Sequence, residues 1–474
     1  MRITLINPFI TSVERYGKDI GHIGGHQAPL GLCYLASFLE KNGVLVSLID
    51  AEAEGLKNDR ILERIRDFKP EAVGITSTTV AFSRARDLAI AIKASEPSIP
   101  IIIGGPHITA NPRETLSFKC FDYGVMREGE ITLFELLKAI TRDDPLENIQ
   151  GIVYRRNGEV VVSPPRPYIK ELDYLPFPAR HLLPDMKKYL PPLGSYSAKS
   201  VISMITSRGC PYECIFCDNN VFGRNIRYYS PEYVLSEIEN VIDTYAAEEI
   251  FFLDDTFTSD RERISEILSL MRKKGIKIRW SCMTRVDRVD KDLLRQMKEA
   301  GCWQISIGVE SGNQGVLDFI KKKIKLEDIK NVVNCSYELG IYVKGFFMIG
   351  HPTDTLETID ETINFAKANL FSDAVVTLST PIPGTELYSI ADRYGTFRHG
   401  DWSGSSYWKP VFIPAGLTKA DLYKKQRQFY TEFYLRTNII LKHIRKIRNM
   451  SHLSKYAISI AKVIAGGIAT SIYF

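Results

Sequence analysis

Ser207-Arg208-Gly209-Cys210-Pro211-Tyr212-Glu213-Cys214-Ile215-Phe216-Cys217 places three cysteines at i, i+4 and i+7, directly after the apolar run Val201–Ile205. A short continuous apolar run reads as a buried strand, so the cysteines ride on a loop that leaves a strand end. Three thiolates on one such loop can hold three irons of a [4Fe–4S] cube, and the fourth iron is then free to chelate a small molecule. A structural zinc loop would use the same thiols but needs a fourth Cys or His. His351 and Cys282 are far away in sequence, and the fold would have to bring either one in.

Downstream of this loop, strand and helix patterns alternate. Val201–Ile205, Glu249–Leu253, Ile276–Cys282, Gln304–Val309, Tyr342–Ile349 and Ala374–Thr380 read as strands. Pro231–Tyr245, Arg261–Lys274, Lys291–Ala300 and Leu326–Leu339 read as helices between them. Repeated βα units of this length suit a partial (β/α)6 barrel over 196–395, whose chemistry gathers at the carboxyl ends of the strands.

Upstream, residues 1–142 alternate in the same way. Ile3–Asn7, Val44–Asp50, Ala72–Thr76, Ile101–Gly104 and Tyr123–Val125 are predicted strands, and Leu30–Asn42, Asp59–Phe68, Arg84–Ser95 and Glu130–Arg142 are predicted helices. Strands that are nearly continuous apolar runs predict a doubly wound parallel sheet covered on both faces, with ligands at the carboxyl ends. Those ends carry Asn7-Pro8-Phe9, Thr76-Ser77-Thr78-Thr79, Gly104-Gly105-Pro106-His107 and Glu128-Gly129-Glu130. Glycines admit close backbone approach and hydroxyls supply adaptable hydrogen bonds. No Gly-x-Gly-x-x-Gly opens the first helix, which disfavours a dinucleotide fold. Residues 143–195 are a proline-rich linker with a small hairpin, Gly151–Tyr154 and Val160–Val162, about Asn157-Gly158.

Length and composition agree with this division. A chain of 474 residues calls for two or three domains, and 45% hydrophobic with 25% charged residues is the ordinary globular balance. The eight cysteines form no framework of close pairs, a reduced cytoplasmic pattern. Met1-Arg2-Ile3 runs straight into a strand, and no signal peptide is visible.

Cys-x3-Cys-x2-Cys after a strand, with Phe216 before the third cysteine, resembles the signature of the radical S-adenosylmethionine superfamily. The resemblance implies that Cys210, Cys214 and Cys217 ligate the cluster and that Phe216 lies against the adenine of S-adenosylmethionine. It implies that Asp254 and Asp255 receive the methionine ammonium, that Arg285 receives its carboxylate, and that Glu310 and Ser311 make ribose or methionine contacts. The alternative for the two aspartates is a solvated loop with a helix-capping role.

Ala28-Pro29-Leu30-Gly31-Leu32, Gly104-Gly105-Pro106-His107 and Arg127-Glu128-Gly129-Glu130 look like the cobalamin-binding domain fused to one class of these enzymes. That class includes carbon methyltransferases and the anaerobic cyclase of chlorophyll synthesis. Asn7, Thr76, Ser77, Thr78, Gly104, Gly105, Pro106, His107, Glu128, Gly129 and Glu130 are its expected cobalamin contacts. The Asp-x-His-x-x-Gly motif of other cobalamin domains is only approached by Asp19-Ile20-Gly21-His22-Ile23-Gly24, so His22 or His26 below cobalt competes with a plain glycine-rich loop. Methylthiotransferases, a neighbouring family, carry a second cluster on three N-terminal cysteines. Here only Cys33 and Cys120 occur, and Cys33 reads as a small buried hydrophobe.

The resemblance therefore implies an enzyme using a [4Fe–4S] cluster, S-adenosylmethionine and cobalamin. Its activity would be methylation of an unactivated carbon of a small molecule or lipid, through a 5′-deoxyadenosyl radical and methylcobalamin, with electrons from a flavodoxin- or ferredoxin-type donor. Oxidative cyclisation or rearrangement with the same cofactors is the alternative. A non-catalytic cobalamin-sensing or interaction protein is a third reading, and the intact cysteine loop argues against it.

The C-terminal region, 396–474, is helical and basic. Between Lys424 and Arg448 stand eight Lys/Arg against one acid, Glu432, more than the net charge of +5 of the whole chain. Phe429, Phe433, Ile440, Ile444 and Ile447 fall roughly on one side, and Tyr456–Phe474 carries one charge, Lys462. A lid packed on the barrel and a helix lying on an anionic membrane both fit this pattern. The second would place a cytoplasmic protein at the inner face of the membrane. A transmembrane span is weakened by Lys462 and Gly466-Gly467, and no recognition motif accompanies the basic run as nucleic-acid binding would require.

Overall fold

The computed structural model describes residues 1–20, 24–192, 194–400 and 406–444. The first half is a seven-stranded sheet in the order β2-β1-β3-β4-β5-β6-β7. Its strands are β1 (Arg2–Asn7), β2 (Leu45–Asp50), β3 (Ala72–Thr76), β4 (Ile101–Gly104), β5 (Tyr123–Val125), β6 (Ile152–Arg156) and β7 (Glu159–Val162). The first five are parallel, and the order turns back at β1, which opens a crevice between the carboxyl ends of β1 and β3. Side chains alternate about the pleat: Ile3, Leu5, Leu48 and Ile102 join one core, and Ile6, Ile49, Ile75 and Ile103 join the other. The sheet is thus doubly wound. The hairpin expected inside the linker is β6–β7, and it extends this sheet as an antiparallel edge instead of standing apart from it.

The second half is a six-stranded, all-parallel sheet in the order β15-β14-β13-β12-β11-β8, the curved wall of a partial barrel. It comprises β8 (Val201–Met204), β11 (Glu249–Phe252), β12 (Arg279–Thr284), β13 (Cys302–Glu310), β14 (Tyr342–Ile349) and β15 (Asp373–Leu378). Between β8 and β11 a short antiparallel pair, β9 (Ser207–Arg208) and β10 (Arg227–Tyr228), closes the neck of the cysteine loop. The strand β12 begins three residues later than its apolar run suggests. Gly275, at φ +68°, ends the preceding helix, and Ile276–Ile278 are spent on the connection, with Ile278 still buried.

The two halves share one core through the helix Leu30–Lys41. Leu32, Cys33, Ala36 and Leu39 face its own sheet, while Leu30, Tyr34 and Phe38, spaced by four, join the barrel core. Cys33 is fully buried, and burial pushes its thiol up to about 12, as suits a core hydrophobe. The end of the linker plugs the barrel floor. Ser197 donates from its backbone N–H to Glu249 at 2.8 Å, and Lys344 Nζ donates to Ser195 Oγ at 2.8 Å.

The helix Lys419–Tyr434 packs against the free edge of β15. Leu422, Phe429 and Phe433 are buried against the barrel. Tyr430 Oη accepts from Val376 N–H and donates to Val376 C=O, both at 3.1 Å, Gln426 Nε2 reaches the same carbonyl at 3.2 Å, and Tyr434 Oη donates to Ala374 C=O at 2.7 Å. These side chains satisfy an edge that would otherwise pair with another chain. The apolar side of this segment is therefore occupied by the protein's own barrel and is not available to a membrane. Among the described residues no helix is long and apolar enough to cross a membrane, and the tail beyond residue 444, with Ile447 and Tyr456–Phe474, lies outside the described residues.

Candidate active site at the joined strand ends

The three cysteines lie on one loop between β9 and β10. Gly209 turns the chain at φ +101°, where a Cβ would stand 2.7 Å from Asn225 O, so only glycine fits before Cys210. The loop is then held from several sides. Cys210 N–H donates to Gly223 O at 3.2 Å, Cys217 N–H to Cys214 O at 3.1 Å, Ile215 N–H to Ile320 O at 3.1 Å, and Leu387 N–H to Ile215 O at 2.8 Å. Cys217 is exposed, yet desolvation of its thiol by the neighbouring loop, with Asp255 and the other two cysteines nearby, pushes it up to about 12. Cys210 is raised for the same reasons. The three sulfurs and Asp255 thus share one electrostatic neighbourhood, and iron binding there must expel protons. Among the described residues no three His, Cys, Asp or Glu side chains converge as a single-ion site. Cys282 is sealed in the core, where its thiol neighbours Cys302. Separate thiolates on one loop fit a cube that takes one sulfur per iron.

The two adjacent aspartates after β11 do different things. Asp254 is 1% exposed and accepts from Thr206 N–H and Oγ1 at 3.0 and 2.9 Å and from Ser207 Oγ. Its carboxylate ties β11 to the start of the cysteine loop, which corrects the expectation that it receives the methionine ammonium. Asp255 points the other way, toward the cysteines, and its carboxyl is raised by desolvation and by Asp254 beside it. Asp255 is itself exposed on that side, and a carboxylate crowded by another carboxylate favours a cationic partner.

Other expected contacts also divide. Glu310 sits at a β-bulge with φ +64° and accepts from Lys322 Nζ at 2.7 Å. Lys322 in turn stands 6.0 Å over the half-buried Phe216 ring. Lys322 had no signal in sequence beyond its place in a lysine run. Ser311 is buried, its hydroxyl 3.1 Å from Thr362 Oγ1 and accepting from Asn313 N–H, so it caps a turn instead of facing a ligand. Arg285 donates to Asp287 at 2.9 Å and to Lys322 O at 2.7 Å, with its guanidinium 3.5 Å from the Tyr212 ring centroid. It braces the cysteine loop, a use that its expected role did not foresee.

On the first sheet, the loops after β3 and β4 form one cradle. Ser77 N–H donates to Gly104 O at 2.9 Å, and His107 N–H donates to Ser77 O at 3.1 Å. Gly105, at φ +97°, lies so close that a Cβ would meet Ser77 O at 2.8 Å and Thr76 Oγ1 at 2.9 Å, whereas beside Gly104 the nearest atom is Val125 O at 3.9 Å. A glycine pair with one closed and one open side fits a large flat or threaded group. Thr78 and Pro106 are exposed at its rim, and Gly129 packs on Leu35. His107 is fully buried, stacked 4.0 Å from Phe82 with Nδ1 3.2 Å from Thr79 Oγ1, and burial lowers it to about 4.

Asn7 Nδ2 donates to Asp50 at 2.9 Å, and the same aspartate lies 3.0 Å from His26 Nε2, with Glu52 3.2 Å from Nδ1. Burial would lower the imidazole, but the bonds to Asp50 and Glu52 outweigh it and carry His26 to about 9. With both nitrogens facing carboxylates, His26 is not disposed as a cobalt ligand, and His22 lies outside the described residues. A cleft of about 400 Å³ opens here, lined by Phe9, Thr11, Gly25, His26, Lys188 and Tyr196 among others.

Glu128 and Glu130 do not line the cradle. Both are buried, and Arg208 donates to Glu128 at 2.9 Å and to Glu130 at 2.7 Å, while Arg227 donates to both Glu128 oxygens at 2.8 Å. The carboxyl end of β5 is therefore fastened to the strands that bear the cysteine loop, and the two rims meet. Sequence reading missed Arg208 and Arg227, whose only local mark is that they bracket the loop.

Comparison with known proteins agrees with both halves. The radical SAM superfamily matches residues 204–366, and the B12 binding domain matches residues 18–137. An uncharacterised methyltransferase of Pyrococcus horikoshii is 35% identical over 448 residues, covering 94% of this chain and 95% of that protein. The cytidylyl-2-hydroxyethylphosphonate methyltransferase of Streptomyces wedmorensis is 30% identical over 447 residues, covering 83% and 82%. Among solved structures, the methyltransferase TsrM of Kitasatospora setae, with cobalamin and a [4Fe–4S] cluster bound, superposes with TM-score 0.71 at 16% identity, over 99% of this chain and 100% of that one. The cobalamin-dependent enzyme OxsB gives 0.73 at 18% identity, over 98% and 71%. By domain content, relatives and fold, the chain belongs to the cobalamin-dependent radical S-adenosylmethionine enzymes.

Proposed function

We propose that the protein methylates an unactivated carbon of a small molecule or lipid. What supports this reading is the junction itself: strand ends of a cobalamin-binding sheet and of a radical barrel are fastened into one rim, as a substrate acted on by both must find them. When bound, the cofactors supply an electron that cleaves S-adenosylmethionine to methionine and a 5′-deoxyadenosyl radical, and a cobalt centre that relays a methyl group.

The chain's own residues do the rest. Cys210, Cys214 and Cys217 would hold the iron–sulfur cluster through their thiolates. Asp255 takes the methionine ammonium, an exchange of a crowded carboxylate for an ion pair. Phe216 offers a flat apolar face to the adenine, and Glu310, fixed by Lys322, presents an acceptor beside it. The Ser77–Gly104–Gly105 cradle admits cobalamin, and His26 stays with its carboxylates. A flavodoxin- or ferredoxin-type donor supplies the electron.

Anaerobic reconstitution followed by incubation with a cell extract and S-adenosylmethionine labelled in its methyl group tests the reading. A product carrying the label on carbon is expected. An anaerobic magnesium-protoporphyrin IX monomethyl ester cyclase of Rubrivivax gelatinosus is 28% identical over 445 residues, covering 92% of this chain, so cyclisation is the second reading. It would give 5′-deoxyadenosine and a product that has lost hydrogen and holds no label.

A further inference from the structure

The cysteine loop leaves β9 at Arg208 and re-enters β10 at Arg227, and these two residues are paired directly across the neck. Both arginines reach past the barrel to the other half of the molecule. Arg208, 3% exposed, is shared between Glu128 and Glu130, with the rings of Tyr34 and Phe222 at 5.2 and 5.3 Å. Arg227 grips Glu128, donates to Ile169 O and Phe222 O at 2.8 Å each, and lies 4.9 Å from the Tyr168 ring. Glu128 also accepts from Ile169 N–H at 2.9 Å, which ties in the linker.

Two arginines and two glutamates make a neutral, desolvated cluster. Apolar residues of similar size would hold two domains together at least as well, because burying charges consumes most of their attraction. What an ionic cluster adds is direction, since forked donors accept carboxylates in few geometries. Here the direction is imposed on the base of the loop that bears every cluster ligand, from the strand end next to the Gly104–Gly105 cradle.

We propose that Arg208, Arg227, Glu128 and Glu130 form a strut that sets the separation between the iron–sulfur cluster and cobalt, with Arg208 and Arg227 as positioning residues. The inference rests on the assignment of the two cofactors to the two halves.

Pulsed electron paramagnetic resonance on holoenzyme reconstituted with cluster and cobalamin, poised with cob(II)alamin and reduced cluster, reads that separation directly. The wild-type protein is expected to show one narrow distance distribution. Glu130→Gln and Arg208→Gln, at full iron and cobalamin content, are expected to broaden or lengthen it, and Arg208→Lys to restore it in part. A role in stability alone would lower the melting temperature and leave the distance unmoved. Should Arg208→Gln fail to fold, Glu130→Gln keeps Arg208 paired with Glu128 and carries the test. Distributions that superpose on wild type in variants holding both cofactors would overturn the strut, whereas a wild-type chain that takes up no cluster would overturn the cofactor assignment beneath it.

Discussion

Asp254 and Asp255 are neighbours of identical chemistry with different surroundings, because successive residues at a strand end point to opposite sides. Asp254 is surrounded by donors from Thr206 and Ser207. Asp254→Asn would turn a carboxamide N–H toward them, leaving buried groups mismatched at a cost of about 1–3 kcal/mol, read as a lower denaturation midpoint of the apo-protein. Asp255→Asn should leave that midpoint in place and weaken S-adenosylmethionine binding by roughly 10- to 100-fold, the range for one hydrogen bond to a charged group. Equal destabilisation by both changes would remove the distinction.

His26 supplies a pH test. Its folded-state value, about 9, lies above its ordinary 6.5, so its contribution is fully present below pH 6.5 and is lost as pH rises through 9. Apo wild type should exceed His26→Gln in urea stability most at pH 6, by up to about 3 kcal/mol. The two curves should converge above pH 9, and a gap constant with pH would mean that packing, not charge, holds the residue.

At the scale of elements, the helix Lys419–Tyr434 acts as a side-chain substitute for a missing strand. Tyr430→Phe strips the hydroxyl that serves both Val376 N–H and Val376 C=O, so a loss of about 1–3 kcal/mol is expected, with iron uptake unchanged. Nothing local announces this use of Tyr430, because the partner strand is more than 50 residues away. What was legible locally was periodic or compositional. The alternation of apolar runs carried the parallel sheets, the spacing of Cys210, Cys214 and Cys217 carried the loop, and the glycine pair at 104–105 carried a close approach. What was illegible depended on partners. Glu128, Glu130 and Ser311 stand beside motif glycines like ligand contacts, yet Arg208, Arg227 and Thr362, supplied by distant segments, consume them.

For the whole molecule, the fold redistributes the basic tail into two parts with different fates. The first part is committed to the barrel, its apolar residues buried and Lys425 paired with Asp360 at 2.5 and 2.6 Å. The second, residues 445–474, holds Arg445, Lys446, Arg448, Lys455 and Lys462 and no acid, among apolar residues such as Ile458, Ile460, Val463 and Ile464. We propose that any contact with an anionic bilayer resides there, since such a segment combines Coulomb attraction with apolar burial. Truncation after residue 444 should then keep the denaturation midpoint and iron content of the full chain and abolish its sedimentation with anionic liposomes. Binding of the full chain should weaken as salt shortens the Debye length from about 10 Å at 0.1 M to about 3 Å at 1 M. Sedimentation that survives truncation would move the contact to the folded surface, and a full chain that never sediments would leave the tail's charge to some other partner and make a lipid substrate the weaker choice.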